Sequence, residues 1–207
     1  MSTVELQMPL IEDGARWAYG GDQEWCSTRW KRLSGCGPTT GANLAAYYAK
    51  TDPAMRELYT GNTDTFEKQQ YVDAIEDMFR FITPSYMGFP YAGRYALKFR
   101  AFALYHNITL DSVGCGVSRG QQMFDFVRRG IDSGNPLALL ILRHRAPEMR
   151  EDNWHWVTVS GYTEGGNENQ VILSNCGERQ VRPASLLFDR NPGNTLRLLY
   201  FKGHAHE

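Results

Sequence analysis

Residues 137–142 read Leu137-Ala138-Leu139-Leu140-Ile141-Leu142, an unbroken apolar run that directly follows Pro136. A short, continuous apolar run is typical of a central strand that is buried on both faces. The segments after it also have strand character, beginning with the alternating, β-branched stretch 154–162 and a turn at Gly165-Gly166-Asn167. Further strands are predicted at 170–174, 180–182 and 195–201, with one helical turn at 183–188.

Upstream of the apolar run the sequence has helical periodicity. Small and apolar residues follow Gly35-Cys36-Gly37, and Pro38 suits the first turn of a helix because its missing N–H is harmless there. That helix is predicted to end at Thr51-Asp52-Pro53. Further helices are predicted at 54–59, 65–82, 94–105 and 119–132, the last capped by Ser118, with a loop over 83–93. Residues 1–34 are predicted to be irregular.

The order of these elements indicates a fold class. Helices first and an antiparallel sheet second are the pattern of the α+β class. We expect a helical half over about 36–134 and a sheet half over about 137–202. Because 207 residues suit one domain with its own core, the expectation is a single domain over 1–207.

The charge balance argues against two classes of partner. Lysine and arginine total 22, aspartate and glutamate total 23, and the formal net charge is −1. A protein built mainly to hold a nucleic-acid backbone or an anionic membrane has a basic excess, so neither is expected here. No apolar stretch is long enough to cross a bilayer, and residues 1–21 show no signal-peptide pattern, so a cytoplasmic location is expected.

The four cysteines, Cys26, Cys36, Cys115 and Cys176, are too few for a disulfide scaffold in a chain this long. Cys36 is the strongest candidate for a nucleophile. It lies at the predicted start of a helix, where free backbone N–H groups and the helix dipole favour a thiolate. The alternative is a small buried residue in a tight turn. Cys115 is the rival nucleophile because it also precedes a predicted helix, whereas Cys26 and Cys176 are interpreted as structural.

Two polar residues in the sheet half are candidates for partners of this thiol. His155 begins the strand at 154–162, between Trp154 and Trp156, and a histidine fixed by a sheet suits a general base. Asn175 ends the next predicted strand, twenty residues later, where its amide oxygen can accept the second imidazole N–H and orient the ring. Taken singly, each is more often structural: a histidine held in the core, and a polar residue that closes a strand.

The three residues together give the order Cys…His…Asn. With them the chain resembles the papain-like cysteine peptidases, and most closely their bacteriocin-processing, double-glycine leader peptidase branch. Two patches carry the resemblance. They are Gly35-Cys36-Gly37-Pro38-Thr39-Thr40, running into Ala45-Ala46-Tyr47-Tyr48, and His155-Trp156-Val157-Thr158-Val159-Ser160-Gly161-Tyr162.

The resemblance implies a papain-like fold and a thiol hydrolase of peptidase or amidase type. Such an enzyme needs no cofactor or metal and acts on a peptide or small amide through a thioester acyl-enzyme. The resemblance also implies a glutamine whose side-chain amide helps to form an oxyanion hole, and Gln23 is the candidate. Gln23 lies thirteen residues before Cys36, a longer gap than the branch has, with residues 25–34 as the insert. The sequence fits equally well an alternative in which Gln23 is an ordinary loop residue.

The chain departs from the pattern of this branch in two further ways, so the resemblance does not identify the substrate. The branch usually has aspartate where Asn175 stands, and no transmembrane or nucleotide-binding segment is visible, so leader-peptide substrates do not follow. An amine as second nucleophile would make an acyltransferase of transglutaminase or amide-forming type, and a papain-like fold also suits an inactive binding protein. A zinc site is disfavoured because no Cys-x-x-Cys or His-Glu-x-x-His spacing occurs, and His204-Ala205-His206 is interpreted as a tail. The sequence carries no signal for an oligomeric state.

Overall fold

The architecture comes from a computed structural model that describes residues 2–86, 88–116 and 119–203. Two sequence interpretations therefore lie outside the described residues: Ser118 as a helix cap, and the tail at 204–206.

The described residues form both strands and helices. The strands are β1 (Ser2–Glu5), β2 (Leu10–Asp13), β3 (Arg16–Tyr19), β4 (Phe66–Glu67), β5 (Leu110–Gly114), β6 (Leu137–Arg143), β7 (His155–Glu164), β8 (Gln170–Asn175), β9 (Glu178–Pro183) and β10 (Thr195–Gly203). The α-helices are α1 (Arg29–Ser34), α2 (Cys36–Thr51), α3 (Lys68–Met78), α4 (Ala92–Tyr105), α5 (Gln121–Asp132) and α6 (Ala184–Leu187). Short 3₁₀ helices lie at Gln23–Trp25, Pro53–Leu58 and Pro147–Met149.

The main sheet has the strand order β5-β10-β6-β7-β8-β9, and β1 pairs with the far end of β7. Each of these pairings is antiparallel. The apolar strand β6 lies between β10 and β7, which confirms the predicted central strand. Since β7 and β8 are neighbours, the start of β7 and the end of β8 meet at one edge of the sheet, with Thr158 opposite Ser174.

Two apolar clusters cover the two faces of this sheet. Alternate side chains of a strand point to opposite faces, and β7 shows the division directly. Trp156 belongs to the cluster that contains α2, α3 and α4. Val157 belongs to the cluster that contains α5. Helix α2 is buried from Cys36 to Ala49, and its small residues let it lie close against the sheet.

The α+β class is confirmed as a mixture of helices with an antiparallel sheet, but the order of elements is only partly as predicted. The expectation that residues 1–34 are irregular is wrong, because β1, the β2–β3 hairpin and α1 lie there. A strand of four residues is too short to show a clear alternation of apolar and polar side chains. Strand β1 is defined by its pairing with β7, which lies far away in the sequence. Strand β5 also interrupts the helical half and pairs with β10.

The later predictions agree closely with the structure. The helix that begins at Cys36 ends at Thr51, as predicted, and β6, β7, β8, β9 and β10 appear where strands were predicted. The predicted helix at 65–82 is shorter and spans Lys68–Met78, because Phe66 and Glu67 form β4 against β2. Among the described residues, no helix combines the length and apolar character needed to span a membrane.

Candidate active site

Cys36 is the first residue of α2. Gly35 before it allows α1, the 3₁₀ helix that bears Gln23 and the start of α2 to lie in contact. A Cβ at Gly35 would lie 2.4 Å from the Lys31 carbonyl oxygen and 3.2 Å from the Gln23 Cβ. Only glycine fits this close approach, because a contact under 3 Å with backbone would force a segment to shift. The result is that the 3₁₀ helix bearing Gln23 lies directly against the start of α2. Cys36 itself is 8% exposed.

His155 is the first residue of β7, and the residue after it anchors the strand. The ring of Trp156 stacks on Tyr95 with centroids 4.2 Å apart, and its Nε1 donates to the Phe89 carbonyl at 2.7 Å. Trp156 and Phe89 also flank Gly37, next to the candidate nucleophile. This buried contact fixes the start of β7 against the start of α2.

Asn175 is the last residue of β8 and orients the imidazole. Its Oδ1 lies 2.7 Å from His155 Nε2. Its Nδ2 donates to Asp152 Oδ1 at 3.2 Å and to Gln180 Oε1 at 3.3 Å, which fixes the amide with its oxygen towards the histidine. An N–H on His155 Nε2 is therefore the donor, and the other ring nitrogen is left for the thiol.

Cys36 and His155 shift each other's pKa in opposite directions. Burial of Cys36 opposes the thiolate, but the hydrogen bond and charge of His155, with N–H groups of Trp156 and Gly37, outweigh it and lower the pKa of the thiol. Burial of His155 opposes the imidazolium, but hydrogen bonds with Cys176 and Cys36 raise its pKa well above the usual value. Both shifts favour the charged forms of the two groups, a thiolate at Cys36 and an imidazolium at His155.

Gln23 lies in the wall of the same site. Its Nε2 donates to the Arg32 carbonyl at 2.7 Å, and its Oε1 is buried with no hydrogen-bond partner in the part of the chain that the structure describes. The Thr39 hydroxyl, also buried, is likewise without a described partner. Both residues line a cavity of about 10 Å³ together with Cys36 and His155. That volume is about the space of one water molecule or one small polar group.

The insert between Gln23 and Cys36 folds into a structure that holds Gln23 at the site. It contains α1, the six-residue helix Arg29–Ser34, and the Arg32 carbonyl of that helix holds the Gln23 amide. The longer gap therefore does not remove Gln23 from Cys36.

A model of the Peptidase_C39 like family matches residues 22–184. The chain belongs to this family. The match spans all four site residues predicted from the sequence, namely Gln23, Cys36, His155 and Asn175, and it confirms the predicted relationship to the papain-like cysteine peptidases. It indicates a function of cysteine peptidase type. No curated protein matches the chain.

The structure adds Asn43, which the sequence analysis missed. This buried amide, on α2, makes four hydrogen bonds. Its Oδ1 accepts from the Gly21 N–H at 2.8 Å and from the Tyr71 hydroxyl at 2.7 Å. Its Nδ2 donates to the Thr158 hydroxyl at 3.1 Å and to the Ser174 hydroxyl at 3.3 Å.

These bonds join the segments that carry the site. Asn43 lies seven residues after Cys36 on the same helix. Three of its four partners, Gly21, Thr158 and Ser174, lie within three residues of Gln23, His155 and Asn175 in the sequence. Asn43 thus connects the helix, the loop and both strands at one buried point. The signal in the sequence was a single amide in a helix whose other residues are mostly small or apolar.

Replacing Asn43 with alanine is expected to destabilise the fold by about 3 kcal/mol, because several buried polar partners then lose a hydrogen bond. Urea unfolding, followed by circular dichroism, measures this. Asn167→Ala, at an exposed turn, is the matched control and should stay within about 0.5 kcal/mol of the parent. Equal stability of the two variants would show that Asn43 does not join these segments.

The remaining cysteines have different surroundings. Cys26 is buried, and burial raises the pKa of its thiol to about 11. Cys115 packs beside the apolar cluster around α5. Cys176, interpreted from the sequence as a turn residue, does lie in a turn, but its Sγ is also 3.9 Å from His155 Nε2. Within the described ranges, no group of three His, Cys, Asp or Glu side chains is placed to hold a metal ion.

Proposed function

We propose that the chain is a cysteine peptidase-type hydrolase with a single papain-like domain, in which Cys36, His155 and Asn175 act as a triad. One observation carries the proposal. The imidazole of His155 lines the same small cavity as the Cys36 thiol and lowers the pKa of that thiol, while its Nε2 lies 2.7 Å from the Asn175 amide oxygen. A nucleophile, a base and a group that orients the base are the parts that acyl transfer needs. The substrate class is a peptide or small amide.

In the proposed mechanism the Cys36 thiolate attacks the substrate carbonyl carbon, and the carbonyl electron pair moves onto oxygen. The second N–H of Gln23 and the backbone N–H of Cys36 stabilise this oxyanion. As the tetrahedral intermediate collapses, His155 gives its proton to the leaving amine, and a thioester remains. His155 then removes a proton from water, which attacks the thioester and releases the acid and the Cys36 thiol.

The test is to trap the acyl-enzyme. The protein is mixed with p-nitrophenyl acetate, and each of the four cysteine peptides is examined for an acetyl adduct by mass spectrometry. A transient acetyl group on Cys36 that water removes supports the hydrolase. Faster release to an added primary amine would support the acyltransferase alternative instead. A folded protein that forms no adduct on Cys36 would be the inactive binding protein, and the proposal would fail.

Gln23→Ala is expected to slow acylation of Cys36 by about 10²–10³-fold, because one oxyanion donor is lost. The measurement is the burst rate with the activated ester. Alkylation of Cys36 by iodoacetamide forms no oxyanion, so its rate is the internal control and should stay close to that of the parent. Acylation at the parent rate would make Gln23 an ordinary loop residue, as the sequence also allowed.

A further inference from the structure

The turn between β8 and β9 has an unusual residue at its first central position. Cys176 and Gly177 are the two residues of this hairpin turn, and their φ angles are +46° and +73°. Two positive φ angles define a type I′ turn, where asparagine, aspartate or glycine is preferred at the first position. A cysteine there is strained by about 1 kcal/mol or more, and such strain clusters at functional sites. What cysteine provides at this position, and the preferred asparagine does not, is a sulfur atom.

The Cys176 sulfur lies beside the same imidazole as Cys36. It is 3.9 Å from His155 Nε2, and the Cys36 thiol lines the same small cavity as this ring. Cys176 and Cys36 also both line the cavity of about 10 Å³. The His155 side chain thus lies beside two thiols with different exposure. The Cys36 thiol is buried, and the Cys176 thiol is exposed to solvent.

We propose that Cys36 and Cys176 form a reversible oxidation site, in which Cys176 is the resolving thiol for an oxidised Cys36. This proposal rests on the proposed function, because it requires Cys36 to be a thiolate. The oxidant is a hydroperoxide, such as hydrogen peroxide. A thiolate that lies next to a second, resolving cysteine is the kind of site that oxidises reversibly.

The chemistry balances in two steps. The Cys36 thiolate attacks one peroxide oxygen, the O–O bond breaks, and the leaving hydroxide takes the His155 proton, so that a sulfenic acid and one water form. The Cys176 sulfur then attacks the Cys36 sulfur, the S–O bond breaks, and hydroxide leaves with the Cys176 proton as a second water. Two thiols lose two electrons in total, and one hydrogen peroxide gains them. A dithiol reductant reverses the disulfide.

Closure needs a movement of the Cys176 side chain. A disulfide holds its sulfurs about 2.05 Å apart, so Cys176 must move past the imidazole. Gly177 is held by two backbone hydrogen bonds, from its N–H to the Gly21 carbonyl at 3.0 Å and to its carbonyl from the Tyr19 N–H at 2.8 Å. The Cys176 side chain is exposed. The oxidised form would lack its nucleophile but would be protected from irreversible oxidation.

Peptide mapping can detect this disulfide directly. Trypsin cleavage after lysine and arginine places Cys36 in peptide 33–50 and Cys176 in peptide 151–179. Cys26 and Cys115 lie in peptides 17–29 and 101–119, so all four cysteines are resolved. The native protein is treated with hydrogen peroxide, its free thiols are blocked, and it is digested without reductant. Peptide 33–50 linked to 151–179 is the expected product.

Cys176→Asn is the decisive variant, because Asn-Gly is a preferred pair in a type I′ turn and the fold is retained. After peroxide and then dithiothreitol, we expect the variant to regain about tenfold less Cys36 alkylation than the parent, with sulfinic acid on peptide 33–50. Cys115→Ser is the control and should recover like the parent. Equal recovery in all three proteins, without a linked peptide, would overturn the proposal.

The failure of this proposal is distinguishable from failure of the proposed function. Alkylation of Cys36 before any peroxide is added reports the thiolate alone. Selective alkylation of Cys36 near neutral pH without a cross-link would reject the oxidation site and leave the hydrolase intact. Absence of selective alkylation would reject both.

Discussion

Replacing Cys36 with alanine is expected to abolish acyl-enzyme formation and to lower the hydrolysis of ester or amide substrates by roughly 10⁶-fold, the loss found when the nucleophile of a triad is removed. The physical reason is that no other cysteine has the same setting. Cys26 is buried with a pKa raised to about 11. The measurement is steady-state hydrolysis together with mass mapping of acyl adducts.

Cys115→Ser is the matched control for this experiment, because Cys115 was the rival nucleophile in the sequence. It packs against the cluster around α5, on the opposite face of the sheet from α2. The control is expected to keep the parent rate. Full activity in Cys36→Ala, or an acyl group on Cys115, would contradict the assignment of the nucleophile.

His155→Ala is expected to reduce the alkylation rate of Cys36 at about pH 6 by about tenfold or more, because losing the neighbouring positive charge lowers the fraction of Cys36 that is thiolate. Without the imidazolium, burial of Cys36 acts with little opposition and raises the pKa of its thiol. The measurement is the initial rate of iodoacetamide labelling of peptide 33–50. His106→Ala, at the C-terminal cap of α4, is the control and should leave the rate unchanged.

The sign of the pH dependence follows from the two shifts. The reactive pair needs Cys36 deprotonated and His155 protonated. The pKa of Cys36 is lowered and that of His155 is raised. Hydrolysis should therefore rise as pH increases through the lowered value for the thiol, and fall as pH increases through the raised value for the imidazole. A His155→Ala protein with the parent profile would contradict the pair.

The residues of the candidate triad were predictable because their signals are local. A cysteine between glycines at a helix start, a histidine at a strand start and an asparagine at the next strand end are each visible in short stretches. Since β7 and β8 follow each other in the chain, their pairing brings His155 and Asn175 together, as the structure shows. The central strand β6 was predictable for the same reason.

Features that depend on distant partners were not predictable. Strand β1 is defined by pairing with β7, more than 150 residues away in the chain, and no pattern of four residues reveals such a partner. Asn43 acquires its role only when α2 packs on Thr158 and Ser174. Cys176 was read correctly as a turn residue, but its contact with His155 appears only when the β8–β9 turn folds beside β7.

Competitive labelling of the native protein tests the central claim most directly. Limiting iodoacetamide at about pH 6, well below the usual thiol pKa, reacts with a thiolate in preference to a neutral thiol. Mapping the four tryptic peptides then ranks Cys26, Cys36, Cys115 and Cys176. The account predicts that peptide 33–50 is labelled first, by about tenfold over any other, although Cys36 is buried and Cys176 is exposed. Labelling of Cys176 or Cys115 ahead of Cys36 would contradict it.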